Sequence, residues 1–167
     1  MRRIVIVGFM GCGKTTVGEA LARQLNRNFV DLDSFITSRE RRSPAEIIQA
    51  DGEAYFRKIE TRALEAVLED RHGEVIALGG GAWTVPANRT LIALHDCLSI
   101  WLNVPFEICW GRITANPETV RPMAPDRDTG AARFESRRKD YALAELQVSV
   151  SESESAATIS ANILREL

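Results

Sequence analysis

The stretch that decides the predicted fold is Gly8-Phe9-Met10-Gly11-Cys12-Gly13-Lys14-Thr15. It follows residues 3–7, a short β-branched run that is typical of a strand buried on both faces. Its last two residues open the segment 14–25, in which apolar side chains recur at helical spacing. A glycine-rich turn between a buried strand and a helix is the opening unit of a parallel α/β sheet.

The same stretch matches the pattern G-x-x-x-x-G-K-[ST] in full. Its glycines let the backbone wrap closely around phosphate oxygens, and the helix N-terminus adds partial positive charge. Lys14 can reach the β- and γ-phosphates, and the Thr15 hydroxyl can bind Mg²⁺. We therefore predict that ATP is bound by Gly11, Cys12, Gly13, Lys14, Thr15 and Thr16.

Further along the chain, strand and helix patterns alternate without internal repeats. The predicted strands are 3–7, 29–32, 75–78, 97–102 and 147–150. The predicted helices are 14–25, one that starts at Pro44, 54–68, 86–94, 106–113, 129–146 and 156–167. This order predicts one α/β domain over residues 1–167, with a mainly parallel sheet of about five strands and helices on both faces. A loop at about 114–128 is unusually long and contains three prolines.

Composition excludes several classes of protein. The 167 residues are 45% apolar, which suits one globular domain and not a disordered chain. Twenty-one basic and 23 acidic residues give a net charge of −2, which argues against a general nucleic-acid binder. No apolar run reaches the roughly 18 residues of a membrane span, and we expect no targeting segment. Three cysteines without metal-ligand spacing favour a reducing cytoplasm.

Two acidic residues follow the second predicted strand. Asp31 and Asp33 would lie at the carboxyl edge of the sheet, where one can address Mg²⁺ and the other a substrate hydroxyl. The alternative is that Asp33 caps the helix that follows, with Ser34 as the competing cap. After the strand 75–78, the glycines 79–81 leave backbone N–H groups open to a ligand.

The chain carries an ordered set of motifs, namely the glycine loop, Asp31-x-Asp33, Asp51-Gly52-Glu53 with Phe56-Arg57 and Glu60, Gly79-Gly80-Gly81, Arg121-Pro122, and Arg137 with Tyr141. In this order, from residue 4 to about residue 145, the set resembles the shikimate kinase family. The resemblance implies a five-stranded parallel sheet flanked by helices, as in nucleoside monophosphate kinases. It also implies phosphorylation of the 3-hydroxyl of shikimate by ATP, in the biosynthesis of chorismate and the aromatic amino acids.

The resemblance assigns roles to individual residues. Lys14, Asp33 and Arg121 would be catalytic, with Asp33 bound to the accepting hydroxyl and Arg121 closing over ATP as part of a lid. Thr15 would bind Mg²⁺ directly and Asp31 would bind it through water. The carboxylate and ring of shikimate would be contacted by Arg57, Gly79, Gly80, Gly81 and Arg137.

Some points stay open at this level. Arg138 is adjacent to Arg137 and is the alternative candidate for the substrate contact. Many members of the family also carry an arginine beside the adenine near the C-terminus, and residues 149–157 contain no matching arginine. Family lids often read Arg-Pro-Leu-Leu, whereas Met123 and Ala124 follow the arginine and proline here.

Alternative functions are another small-polyol kinase, such as a gluconate kinase, or a nucleotide-binding module without catalysis. We expect a monomer, with no nucleic acid and no membrane as partners.

Overall fold

Strands and helices alternate throughout the computed structural model, which describes residues 2–70, 74–115 and 123–167. The strands are β1 (Arg3–Val7), β2 (Phe29–Asp31), β3 (Val75–Ala77), β4 (Cys97–Asn103) and β5 (Leu146–Ser149). The helices are α1 (Lys14–Leu25), α2 (Leu32–Glu40), α3 (Pro44–Asp51), α4 (Glu53–Asp70), α5 (Pro86–Leu94), α6 (Phe106–Thr114), α7 (Arg127–Tyr141) and α8 (Ala156–Glu166). A 3₁₀ turn over Ala82–Thr84, which the sequence pattern did not predict, lies between β3 and α5.

The strands form one parallel sheet in the order β2-β3-β1-β4-β5. In the centre, Ile4 pairs with Val75 of β3 and with Leu98 of β4. The predicted five-stranded parallel sheet flanked by helices is therefore confirmed. Because all strands run the same way, the loops after β1, β2 and β3 leave from one edge.

The core forms around the central strand. Ile4, Val5, Ile6 and Val7 of β1 are all completely buried, as expected of a strand covered by helices on both faces. Helix α1 buries Val17 and Leu21 and also packs along α8. This packing fixes the start of α1 relative to the end of β1, where the glycine loop lies.

The second strand is shorter than predicted. It ends at Asp31, whose side chain accepts a hydrogen bond from the Ser34 backbone N–H at 3.0 Å and so caps α2. The cap that we considered for Asp33 therefore belongs to Asp31, and Asp33 lies in the first turn of α2. A side chain that satisfies an open helix N–H stabilises the helical start at Leu32 and ends the strand.

The helix predicted over 129–146 is displaced at both ends. Asp126 caps it by accepting from the Thr129 N–H at 2.8 Å, so α7 begins at Arg127. It ends at Tyr141, because the chain has to turn before Leu146 pairs with Ile100 of β4. Pairing with the sheet thus overrides the helical propensity of residues 142–145.

Three further properties concern the described residues. None of their helices combines the length and the apolar character that a bilayer span needs. Cys12, Cys97 and Cys109 are all buried and free of disulfide bonds. Within 2–70, 74–115 and 123–167, no three or more His, Cys, Asp or Glu side chains are grouped as ligands for a metal ion.

Candidate active site

The glycine loop after β1 has the backbone of an anion-binding turn. Gly8, Gly11 and Gly13 have φ angles of +145°, +76° and +94°, which side chains other than hydrogen rarely permit. A Cβ at Gly11 would also lie 2.7 Å from the carbonyl oxygen of Cys109. Helix α1 starts directly after the loop at Lys14, so its N-terminus faces the same space. Six of the seven residues predicted to bind ATP, all except Arg121, lie in this loop and in the first turn of α1.

The Lys14 side chain folds back over the loop. Its Nζ donates to the carbonyl oxygens of Gly8 at 3.0 Å and Phe9 at 2.9 Å. Phosphate oxygens that enter the loop can replace these carbonyls as acceptors, and they would add charge-assisted bonds. The ammonium group is therefore already placed where phosphates would bind.

Thr15 and Asp31 form an oxygen pair beside the loop. The Thr15 hydroxyl donates to Asp31 Oδ2 at 2.6 Å, while Asp31 Oδ1 accepts the capping bond from Ser34. A hydroxyl and a carboxylate that also adjoin a phosphate site match the oxygen ligands of Mg²⁺, which binds through one or two protein groups together with phosphates. The residues present therefore fit this ion.

Two carboxylates converge on the first glycine after β3. A Cβ at Gly79 would lie 2.8 Å from both Asp33 Oδ1 and Glu60 Oε1. Glu60 is completely buried, and its Oε1 has no hydrogen-bond partner among the described residues. Burial raises the pKa of Glu60 to about 7, against the opposing effect of the nearby Arg57. Glu60 belongs to the motif set quoted above, but sequence reasoning gave it no role.

Arg57 is oriented by two carboxylates of its own helix, α4. Its Nη1 donates to Glu60 Oε2 at 2.7 Å, and its Nη2 donates to Glu53 Oε1 at 3.0 Å. A Cβ at Gly81 would overlap the guanidinium group, at 2.1 Å from Nη2. The glycine thus allows the backbone to lie against Arg57. The bonds to Glu60 and Glu53 use two of the five N–H groups that a guanidinium carries.

The structure separates the two adjacent arginines of α7. Arg137 is only 6% exposed, and its Nη1 has no partner in the described part of the chain. Burial is the main cause that lowers its pKa. Arg138 is half exposed and forms an ion pair with Glu135 at 3.7 Å. The geometry therefore favours Arg137 as the arginine that faces a ligand, while Tyr141 donates to the nearby Gly80 carbonyl.

These side chains line two adjoining clefts. The arginine cleft, an open space of about 550 Å³, contains Asp33, Arg57, Glu60, the glycines 79–81 and Arg137, together with Met10, Pro44, Ala45, Ile48, Phe56 and Met123. The loop cleft contains Met10, Gly11, Gly13, Lys14, Thr15, Thr16, Asp31, Asp33, Leu78, Gly80 and Arg112. The two clefts share Met10, Asp33 and Gly80. Asp33 is thus the titratable side chain that lines both.

Arg112 is a site residue that sequence reasoning missed. Its Nη1 donates to the carbonyl oxygens of Gly11 at 3.4 Å and Cys12 at 3.3 Å. It also lines a neighbouring cavity of about 440 Å³, together with residues of the glycine loop, of α1 and of α8, and with Glu154, which precedes α8. No motif marks Arg112 in α6, because its contact with the loop spans 101 residues of sequence.

The predicted lid lies partly outside the described residues. Arg121, predicted to be catalytic and to contact ATP, is among residues 116–122, which the structure does not describe. Of the two residues that depart from the usual family lid, Met123 lines the arginine cleft and Ala124 is buried.

Comparison with known proteins gives the same family for nearly the whole chain. The shikimate kinase family model matches residues 10–167. The chain is 39% identical to the shikimate kinase of Ruegeria pomeroyi over 150 residues, which are 88% of this chain and 75% of that protein. The solved shikimate kinase of Acinetobacter baumannii in complex with shikimate superposes with a TM-score of 0.90 at 28% identity, covering 99% of this chain and 92% of that chain.

One of the alternatives also has a solved counterpart. A gluconokinase from Sinorhizobium meliloti superposes with a TM-score of 0.63 over 98% of this chain and 90% of that chain, but at 18% identity. A likeness at that level shows the shared fold and no more, so the gluconate alternative is not favoured. With the family model, the close relatives and the ordered motifs in agreement, this chain belongs to the shikimate kinase family.

Proposed function

We propose that this chain transfers the γ-phosphoryl group of ATP to the 3-hydroxyl of shikimate and releases shikimate 3-phosphate and ADP. The observation that carries the proposal is the junction of the loop cleft and the arginine cleft at Asp33. A triphosphate in the first cleft and a small hydroxy acid in the second would meet there. Membership of the shikimate kinase family supports shikimate as that acid.

Recognition of the acceptor rests on Arg137, which is buried, and on Arg57, whose side chain is 18% exposed. Shikimate has one carboxylate and three hydroxyl groups, so a specific site needs cationic forks and hydroxyl acceptors. Arg57 gives one N–H each to Glu60 and Glu53 out of the five that a guanidinium carries, and Nη1 of Arg137 is without a partner among the described residues. Charge-assisted pairs between these groups and the carboxylate are stronger than neutral hydrogen bonds. Backbone N–H groups of the glycines 79–81 would complete the contacts.

The proposed role of Asp33 is to orient the accepting hydroxyl. Phosphoryl transfer passes through a loose transition state in most analyses, so it requires little proton removal in advance. The catalytic gain then comes from alignment with the γ-phosphate and from stabilisation of its charge. Lys14 supplies cationic stabilisation from the loop, and we propose that Arg121 adds a second cation from the lid.

We further propose that Mg²⁺ is bound directly by Thr15 and through water by Asp31. The ion would neutralise charge on the β- and γ-phosphate oxygens when bound. The side chains would exchange their mutual hydrogen bond for this role. Arg112 is placed to contact the nucleotide as well, because it borders both the loop and the cavity beside α8.

The cellular setting of the enzyme stays a prediction. The three free, buried cysteines are compatible with a reducing compartment, and we propose that the protein acts in the cytoplasm as a monomer.

The first test is acceptor specificity. Purified protein with MgATP and shikimate should release ADP in a coupled assay, with little release when the acceptor is omitted. Gluconate at the same concentration should support far slower release, because it lacks the rigid ring that would direct a hydroxyl toward Asp33. Equal rates with gluconate would contradict the proposed substrate.

The second test removes the cationic fork. Arg57→Ala should raise the KM for shikimate at least about tenfold, since a hydrogen bond to a charged group contributes about 1.5–3 kcal/mol. The KM for ATP should change little, because Arg57 does not line the loop cleft. Arg62→Ala, an exposed arginine of the same helix, is the matched control. A larger effect on ATP than on shikimate would count against the assignment.

The third test uses the titration of Glu60. Its pKa of about 7 means that it binds a proton as pH falls through neutrality, and it then ceases to neutralise Arg57. An anionic acceptor should therefore bind severalfold more tightly at about pH 6 than at about pH 8, with proton uptake on binding. Isothermal titration calorimetry in buffers of different ionisation enthalpy measures both quantities.

Glu60→Gln should remove this pH dependence, whereas Glu69→Gln, an exposed change on the same helix, should keep it. The raised pKa of Glu60 also affects folding. Because it lies above the usual 4.5, the contribution of Glu60 to folding stability is fully present below about pH 4.5 and is lost as the pH rises through about 7. Tighter acceptor binding at the higher pH would contradict this account.

A further inference from the structure

A third arginine lies next to the arginine cleft without lining it. Arg133 of α7 has its Nη1 3.8 Å from Glu53 Oε1, and the same oxygen accepts from Arg57 Nη2 at 3.0 Å. One carboxylate oxygen thus joins guanidinium groups from α7 and α4. Sequence reasoning assigned no role to Arg133, and the contact spans two helices that are distant in the chain.

The position of Arg133 argues for an indirect role. It lies one helical turn before Arg137, and it borders a separate open depression with Thr129, Ala132, Ser136 and Arg137. It is absent from the residues that line the arginine cleft. Its route to the acceptor is therefore through Glu53, since the like-charged Arg137 offers it no bond.

The partner of Arg133 makes this ion pair different from an ordinary surface pair. An isolated, half-exposed pair contributes little to stability. Here, however, Glu53 is one of the two carboxylates that orient Arg57, and Glu60 is the other. The Glu53 side chain is 42% exposed and therefore needs a second contact to stay in one rotamer, whereas Glu60 is fixed by complete burial.

We propose that Arg133 is a positioning residue for shikimate binding, which acts by fixing Glu53 and, through it, the guanidinium plane of Arg57. This inference rests on the proposed function. When Arg133 is removed, Glu53 gains rotamer freedom, and Arg57 loses the fixed direction of one of its two anchoring bonds. The acceptor carboxylate then meets a less well-ordered fork, while the nucleotide side of the site is unaffected.

The test compares the KM values for the two substrates in four single variants and one double variant. Arg133→Gln should raise the KM for shikimate about three- to fivefold, with an unchanged KM for ATP and an unchanged unfolding temperature. Arg133→Lys, which keeps the charge, should recover part of the loss. Arg138→Gln, on the same helix and outside the cleft, should behave as the unaltered protein. In a Glu53→Gln background, Arg133→Gln should have no further effect, because its partner is already gone.

Each other outcome overturns the inference. An unchanged KM for shikimate in Arg133→Gln would show that the pair has no positioning role. An equal rise of both KM values, or a lowered unfolding temperature, would indicate a general structural effect. A full additional effect in the Glu53→Gln background would show that Arg133 does not act through Glu53. Failure of the proposed function is distinguishable, because the unaltered protein would then release no shikimate-dependent ADP.

Discussion

The close approach of two backbone segments sets the geometry of this site. A Cβ at Gly80 would lie 3.1 Å from the Met10 backbone nitrogen, so the segment after β3 contacts the glycine loop after β1. Parallel pairing of these neighbouring strands produces the contact, and it continues one residue past β3, where the Leu78 N–H donates to the Ile6 carbonyl at 3.1 Å. The loops that follow these two adjacent strands therefore leave the sheet side by side at the same edge. A phosphate donor bound at one loop would therefore lie next to an acceptor bound at the other, as we propose.

The second constraint is the balance of buried charge. Arg57 and Arg137 lie close enough for their charges to interact; Arg137 is buried, and the Arg57 side chain is 18% exposed. Glu60 and Glu53 offset that repulsion and also consume part of the hydrogen-bonding capacity of Arg57. The guanidinium groups of Arg57 and Arg137 are held in place by the helices that carry them and by the glycines packed against them. Such a site is ordered before its ligand binds, which lowers the cost of forming the reactive arrangement.

The extent to which sequence revealed this arrangement follows from the range of each interaction. The glycine loop and the sheet were predictable, because they depend on local spacing and on hydrophobic runs. The start of α2 at Leu32 was not, because the capping bond from Asp31 sets where that helix begins. Arg112 and Arg133 carry no local signal either, since their contacts with the loop and with Glu53 exist only once distant helices pack. The resemblance to the family proposed Arg57 and Arg137 as substrate contacts, and only the packed structure distinguishes the buried Arg137 from its half-exposed neighbour Arg138.

The most direct measurement is a crystal structure of the protein with ADP, Mg²⁺ and shikimate bound together. We expect the shikimate carboxylate within hydrogen-bond distance of Arg57 and Arg137. One ring hydroxyl should contact Asp33 and point toward the phosphate loop. Shikimate bound elsewhere, with the arginine cleft filled by water and Arg137 turned away from it, would contradict the claim that the two substrates meet at Asp33.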